Sequence, residues 1–153
     1  MTHLCCDVLS ALKGKTLATA ESCTGGGIGA ALTAIPGSSA VYKGGIISYT
    51  NWVKHNLLGV DETVLETVGA VSALVAEAMA KGARKALEAD IAVSVTGLAG
   101  PGGDDFGNPV GRVYIGYADE NRALNREFTF SGDREAVRRQ AAEEALKLIL
   151  ELN

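Results

Sequence analysis

Aromatic residues make up only 5% of this 153-residue chain, and proline occurs three times. A core so poor in rings must be filled by Ala, Val, Leu and Ile, and the 19 glycines permit close backbone approaches. Cysteine is scarce too: Cys5, Cys6 and Cys23, an odd set with two neighbours adjacent, form no disulfide framework and suit a reducing compartment. Positive charge is not in excess. The formal net charge of −4 argues against general nucleic-acid binding, which needs a basic face to neutralise phosphates. A small phosphorylated ligand stays compatible, because a local site needs only a cation or two and some free backbone N–H groups. No apolar run approaches the roughly 20 residues that span a bilayer, so no membrane partner is expected. The segment Met1 to Leu12 lacks the cationic start and long apolar stretch of a secretory signal, and a cytoplasmic location is the expectation.

What is present is a globular composition, 47% hydrophobic and 21% charged, in a chain of the length of one domain, 1–153. Helical and strand patterns alternate from end to end, the signature of a layered α/β domain. Helices are expected over Thr2–Leu12, Thr24–Ile35, Trp52–Leu58 capped by Asn51, a short one from Asp61, Ser72–Leu87, and from Asp133 to Leu150. Strands are expected over Thr16–Ala20, Val41–Tyr49, Ile91–Val95, Arg112–Ala118 and about Ala123–Phe130. The short Asp119-Glu120-Asn121 connection makes the last two an antiparallel pair. The glycine- and proline-rich stretch from Gly97 to Pro109 reads as a surface loop long enough to carry function.

Four segments carry candidate chemistry. Ala20-Glu21-Ser22-Cys23-Thr24-Gly25-Gly26-Gly27 leaves a strand and enters a helix, which exposes side chains at the carboxyl edge of a sheet. Free N–H groups there can hold an anion or stabilise an oxyanion. Ser22 would sit beside them as a nucleophile; on local sequence alone the commoner role for Ser22 or Thr24 is that of a helix cap. The Gly25-x-Gly27-x-x-Ala30 spacing suggests a dinucleotide fingerprint, but the next strand ends Ser48-Tyr49-Thr50 without the carboxylate that reading requires. In the second segment, Tyr49 closes a strand and Lys54 falls in the first turn of a helix. Burial and the helix N-terminus would both disfavour its charged form, and a neutral lysine can deprotonate serine. The third is Val95-Thr96-Gly97-Leu98-Ala99-Gly100-Pro101-Gly102-Gly103, with Thr96 placed to meet a ligand. The adjacent Asp104-Asp105 pair has no His or Cys companion, so no metal or cofactor is expected. In the fourth, Arg134 opens the last helix where it can grip a phosphate, while Arg138 and Arg139 read as surface charge. Cys23 with His55 remains a rival nucleophile pair.

These segments, in this order, resemble the CinA C-terminal domain family. The likeness rests on Thr19–Gly26, Pro36-Gly37-Ser38-Ser39, Ile47–Asn51 with Lys54, Leu58-Gly59-Val60, Gly69–Ser72, Thr96–Gly103, Pro109-Val110-Gly111 and Gly132-Asp133-Arg134 with Val137–Gln140. The resemblance implies a three-layer α/β/α fold around a mixed, mostly parallel five-stranded sheet with one antiparallel strand. It further implies hydrolysis of a pyridine nucleotide, nicotinamide mononucleotide, to nicotinic acid mononucleotide and ammonia. Ser22 would be the nucleophile, with Tyr49 and Lys54 moving protons. Thr24, Gly25, Gly26, Thr96, Gly97, Gly100 and Arg134 would contact substrate, and a homodimer is suggested. The alternative is a non-catalytic nucleotide-binding or competence- and damage-associated module of the same fold. Two departures stand out: Asn108 where relatives often carry lysine, and Arg112 where a small residue is usual.

Overall fold

A computed structural model describes the whole sequence, Met1–Asn153. Its elements run α1 (Thr2–Ala11), β1 (Leu17–Glu21), α2 (Gly27–Thr33), β2 (Tyr42–Ile47), α3 (Asn51–Leu58), α4 (Glu62–Thr67), α5 (Ala73–Ala86), β3 (Ile91–Gly97), β4 (Arg112–Ala118), β5 (Ala123–Thr129) and α6 (Arg134–Leu152). The five strands form one sheet in the order β2-β1-β3-β4-β5. β1 pairs in parallel with β2 and β3, whereas β4 is antiparallel to both β3 and β5. Four strands therefore point one way and β4 alone runs against them, as expected.

The strands sort their side chains by parity, and this decides which helices cover which face. Leu17, Ile91, Val93, Val95, Val113, Ile115 and Tyr117 join a core with Cys5, Val8 and Leu12 of the α1 segment, Ile28 and Leu32 of α2, and Val137, Leu146 and Ile149 of α6. The opposite face presents small residues. Ala18, Ala20 and Ala92 pack there with Leu58, Val75, Met79 and Ala83, and Ser94 donates to the Ala76 carbonyl at 2.5 Å. At Gly116 a Cβ would collide with that same carbonyl, so α5 lies against the sheet at backbone distance. Gly82 plays the matching part on the outer side of α5: a Cβ there would overlap the Leu58 carbonyl at the end of α3.

Several boundaries shift for identifiable reasons. α2 begins at Gly27, later than the expected Thr24, because Gly25 (φ +60°) and Gly26 (φ +99°) take left-handed conformations incompatible with a helix. β1 extends through Glu21. The cap of α3 is Thr50, whose hydroxyl accepts from Val53 N–H, and Asn51 is the first helical residue. Asp61, Ser72 and Asp133 cap α4, α5 and α6 through their side chains.

Candidate active site

Three neighbouring strands, β2, β1 and β3, end along one edge of the sheet, and the segments that follow them converge there. Ser22 leaves β1 stitched to both neighbours: its own N–H donates to the Val95 carbonyl at 3.0 Å, and the Glu21 carbonyl accepts from Ser48 N–H at 2.8 Å. The turn after it is held by Glu21, a carboxylate only 2% exposed. Its oxygens accept from the Thr24 hydroxyl at 2.7 Å and from the N–H groups of Ile28 and Gly29 at 2.9 and 3.1 Å. A carboxylate of the preceding strand thus satisfies the second and third donors of α2, the Thr24 carbonyl takes the first, from Gly27, and neither the Ser22 nor the Thr24 side chain caps the helix. Ser22 is released from capping.

The freed hydroxyl meets Lys54. Its Nζ donates to Ser22 Oγ at 2.9 Å and to the Ser48 carbonyl at 2.6 Å, and Lys54 is 2% exposed. Burial lowers its pKa from 10.5 to about 8, with the nearby Cys23 thiol pulling weakly the other way. No carboxylate pairs with the amine. Lys54 N–H is bonded to the Thr50 carbonyl, so the residue closes the first turn of α3, as its spacing predicted.

Ser22, Cys23, Tyr49, Lys54, Thr96 and Arg134, with the loop from Gly97 to Gly103, line a cavity of about 440 Å³. Of the expected contacts, Ser22, Tyr49, Lys54, Thr96, Gly97, Gly100 and Arg134 are brought together. Thr24, Gly25 and Gly26 are not among the lining residues. Gly25 N–H is bonded to the Ser22 carbonyl at 3.0 Å, so it cannot serve the expected oxyanion. The N–H groups of Thr24 and Gly26 find no acceptor in the protein, and that of Cys23 meets only its own thiol. Thr96 donates its hydroxyl to the Ala70 carbonyl at 2.8 Å, which leaves its oxygen as an acceptor toward the cavity.

The Tyr49 side chain is 60% exposed at the rim, and its hydroxyl accepts from Arg134 Nη2 at 3.2 Å. The Lys54 amine is engaged by Ser22 and Ser48 and makes no hydrogen bond to the phenol. Arg134 also donates to the Gly100 carbonyl at 2.7 Å, bracing the glycine loop against α6.

The rival thiol pair does not assemble. His55 Nδ1 is bonded to the Val60 carbonyl at 2.7 Å, and its Nε2 lies 3.6 Å from Glu62. Burial pushes the Cys23 thiol up to about 11, which keeps it protonated and a poor nucleophile. Asn108 acts as a staple, donating to the Val71 carbonyl and to Asp104 at 3.1 and 2.8 Å. Arg112 reaches Thr129 and Glu127 on β5 and is no part of the cavity lining.

Arg138 departs from the expectation of surface charge: it sends Nε to the Cys23 carbonyl at 3.0 Å and Nη2 to the Thr24 carbonyl at 3.2 Å. The signal available was its spacing of four from Arg134, which puts both guanidinium groups on one side of α6.

Comparison with known proteins agrees with the geometry. The family model described as the CinA C-terminal domain matches residues 2–153. A nicotinamide-nucleotide amidohydrolase PncC of Pseudomonas putida is 49% identical over 134 residues, covering 88% of this chain and 84% of that protein. Its namesake from Enterobacter agglomerans is 51% identical over 139 residues, covering 90% and 85%. A CinA-like protein of Thermosynechococcus vestitus is 55% identical over 121 residues, 78% of this chain, but the match spans only 29% of that longer relative. Among solved structures, the competence/damage inducible protein CihA from Agrobacterium tumefaciens superposes with a TM-score of 0.95 at 40% identity, covering 99% of this chain and 94% of that one.

Proposed function

The chain belongs to the CinA C-terminal domain family, and from that premise we propose that it is a nicotinamide-nucleotide amidohydrolase acting on nicotinamide mononucleotide through a Ser22 acyl-enzyme. The observation that carries this reading is the buried 2.9 Å bond between Lys54 Nζ and Ser22 Oγ, opening onto a cavity of about 440 Å³. Two relatives of matching length bear the name of that activity.

In the proposed reaction Ser22 Oγ attacks the carboxamide carbon, and its proton passes directly to the neutral Lys54 amine. The Ser48 carbonyl holds one N–H of that amine, orienting the remaining lone pair toward the serine. The carbonyl oxygen becomes an oxyanion, which the N–H groups of Cys23 and Thr24, neither bonded to another residue, are available to stabilise. Such donors are commonly worth about 3–4 kcal/mol each. The C–N bond then breaks and the Lys54 ammonium returns its proton to the leaving nitrogen, releasing ammonia. Water attacks the ester with Lys54 again taking a proton, and the acid product leaves as Ser22 Oγ is reprotonated. The positive pyridinium of the substrate makes its carboxamide more electrophilic. Arg134 and the glycine loop offer the substrate phosphate a guanidinium and unpaired N–H groups.

The test is ammonia release from nicotinamide mononucleotide, free nicotinamide and the dinucleotide. The mononucleotide should be preferred, and Ser22→Ala should lower turnover by about 10⁴-fold or more with an unchanged circular dichroism spectrum. Release at the parental rate by Ser22→Ala would end the serine assignment. Hydrolysis of free nicotinamide in preference to the mononucleotide would end the substrate assignment.

A further inference from the structure

Helix α6 braces the walls of the cavity at two points one turn apart. Arg134 holds the far wall through Gly100. Arg138 instead grips the near wall, and its two bonds go to consecutive carbonyls of the segment that carries the nucleophile, Cys23 and Thr24. The guanidinium lies against Gly25, where a Cβ would stand 3.5 Å from Nη2. Glu21 anchors the same turn from the other side through the Thr24 hydroxyl. The turn is therefore clamped between a carboxylate that takes its donors and a guanidinium that takes its acceptors.

A peptide group has two ends. The carbonyl of Cys23 shares its peptide plane with the N–H of Thr24, one of the donors left without an acceptor in the protein. A charge-assisted bond to that carbonyl fixes the plane and polarises it, strengthening the N–H opposite. It also fixes Cys23, the residue following the serine and a lining residue of the cavity.

We infer that Arg138 is a positioning residue for the amide hydrolysis proposed above, holding the Cys23–Thr24 peptide, and with it the turn that follows Ser22, so that the free Thr24 N–H is fixed toward the oxyanion formed on attack by Ser22. The inference rests on that reading of the site. Arg138 touches neither Ser22 Oγ nor Lys54 Nζ and does not line the cavity. Its loss should weaken transition-state stabilisation while leaving substrate binding and the titration of the base in place.

The experiment compares the parent with Arg138→Gln and Arg138→Lys by two readouts. The first is steady-state hydrolysis of nicotinamide mononucleotide across pH. The second is the rate at which a fluorophosphonate labels Ser22, a step in which the Ser22 O–P bond forms, fluoride leaves and Lys54 takes the proton. For Arg138→Gln, kcat and the labelling rate should fall together by about 10- to 100-fold, the range expected when a donor is misplaced rather than deleted. KM should stay within about twofold, and the midpoint of the pH profile should not move. Arg138→Lys, with charge but one donor point in place of a fork, should fall between. Should Arg138→Gln fail to fold, the lysine variant carries the comparison.

Rates within about twofold of the parent in both assays would overturn the inference, as would a loss confined to KM or a shifted pH midpoint. A parent that accepts the phosphonate but not the mononucleotide refutes the substrate reading alone, and the labelling ratio still decides the part assigned to Arg138. A parent that does neither refutes both.

Discussion

Replacing Lys54 with methionine should raise the stability of the protein at neutral pH while abolishing its activity. The amine is 2% exposed with no carboxylate beside it, and its pKa falls from 10.5 to about 8. That lowering corresponds to about 3 kcal/mol of destabilisation, present in full below pH 8, where the folded and unfolded chains both carry the proton. Between pH 8 and 10.5 the unfolded chain binds the proton and the folded chain does not. Stability therefore rises with pH across that window, and the deficit disappears at its top. Methionine is of similar length and carries no charge, so it removes the deficit. It also forfeits the bonds to Ser22 Oγ and the Ser48 carbonyl, at about 1 kcal/mol apiece. The net expectation is a gain of about 1 kcal/mol at pH 7 that turns into a loss of about 2 kcal/mol above pH 10. At roughly 2–4 °C per kcal/mol for a chain of this size, the difference in Tm between variant and parent should swing by roughly 6–12 °C over that range. Thermal denaturation followed by circular dichroism at pH 6, 7, 8, 9 and 10 measures it, and the contributions of all other groups cancel in the difference. A Tm difference that stays constant with pH would refute the reasoning, because it would mean the amine titrates as freely in the folded chain as in the unfolded one.

The same titration predicts the pH profile. With a base titrating at about 8, about a tenth of the parent enzyme holds the neutral amine at pH 7 and about nine-tenths at pH 9. kcat/KM should therefore rise about tenfold between these values and then level, and initial rates in a constant-ionic-strength buffer series check it. Cys23→Ala should retain activity within about threefold of the parent in the same assay, since a thiol pushed up to about 11 is almost wholly protonated at neutral pH.

Much of this architecture is legible in the sequence because it is written in local pattern. The apolar runs of β1 and β3, the alanine-rich face of α5, and the caps at Asp61, Ser72 and Asp133 each declare themselves within a few residues. The Ser22–Lys54 pair was reachable by position as well, since each follows a strand that ends at the same sheet edge. What escaped were contacts made across long stretches of chain. Arg138 meets Cys23 over a separation of 115 residues, and nothing in the local sequence of an exposed-looking arginine records a partner so distant. Glu21 was missed for a related reason. A carboxylate at a strand end suggests solvent, and only the fold shows that it lies beneath the first N–H groups of the following helix. Sequence order places Tyr49 near Lys54, and only the fold shows that its hydroxyl meets Arg134 on α6.

The contact between Gly82 and the Leu58 carbonyl has a bearing on the proposed chemistry that its remote place conceals. Lys54 and Leu58 belong to the same short rod, one turn apart, so whatever lifts the end of that rod away from α5 also draws the amine back. Ser22 would not follow, being laced to its neighbours on both sides of β1. A single methyl group added at position 82 would act as a wedge under a lever, tending to separate base from nucleophile. The seat of the helix that carries Lys54 thus depends on a hydrogen atom of a neighbouring helix that bears no reacting group at all.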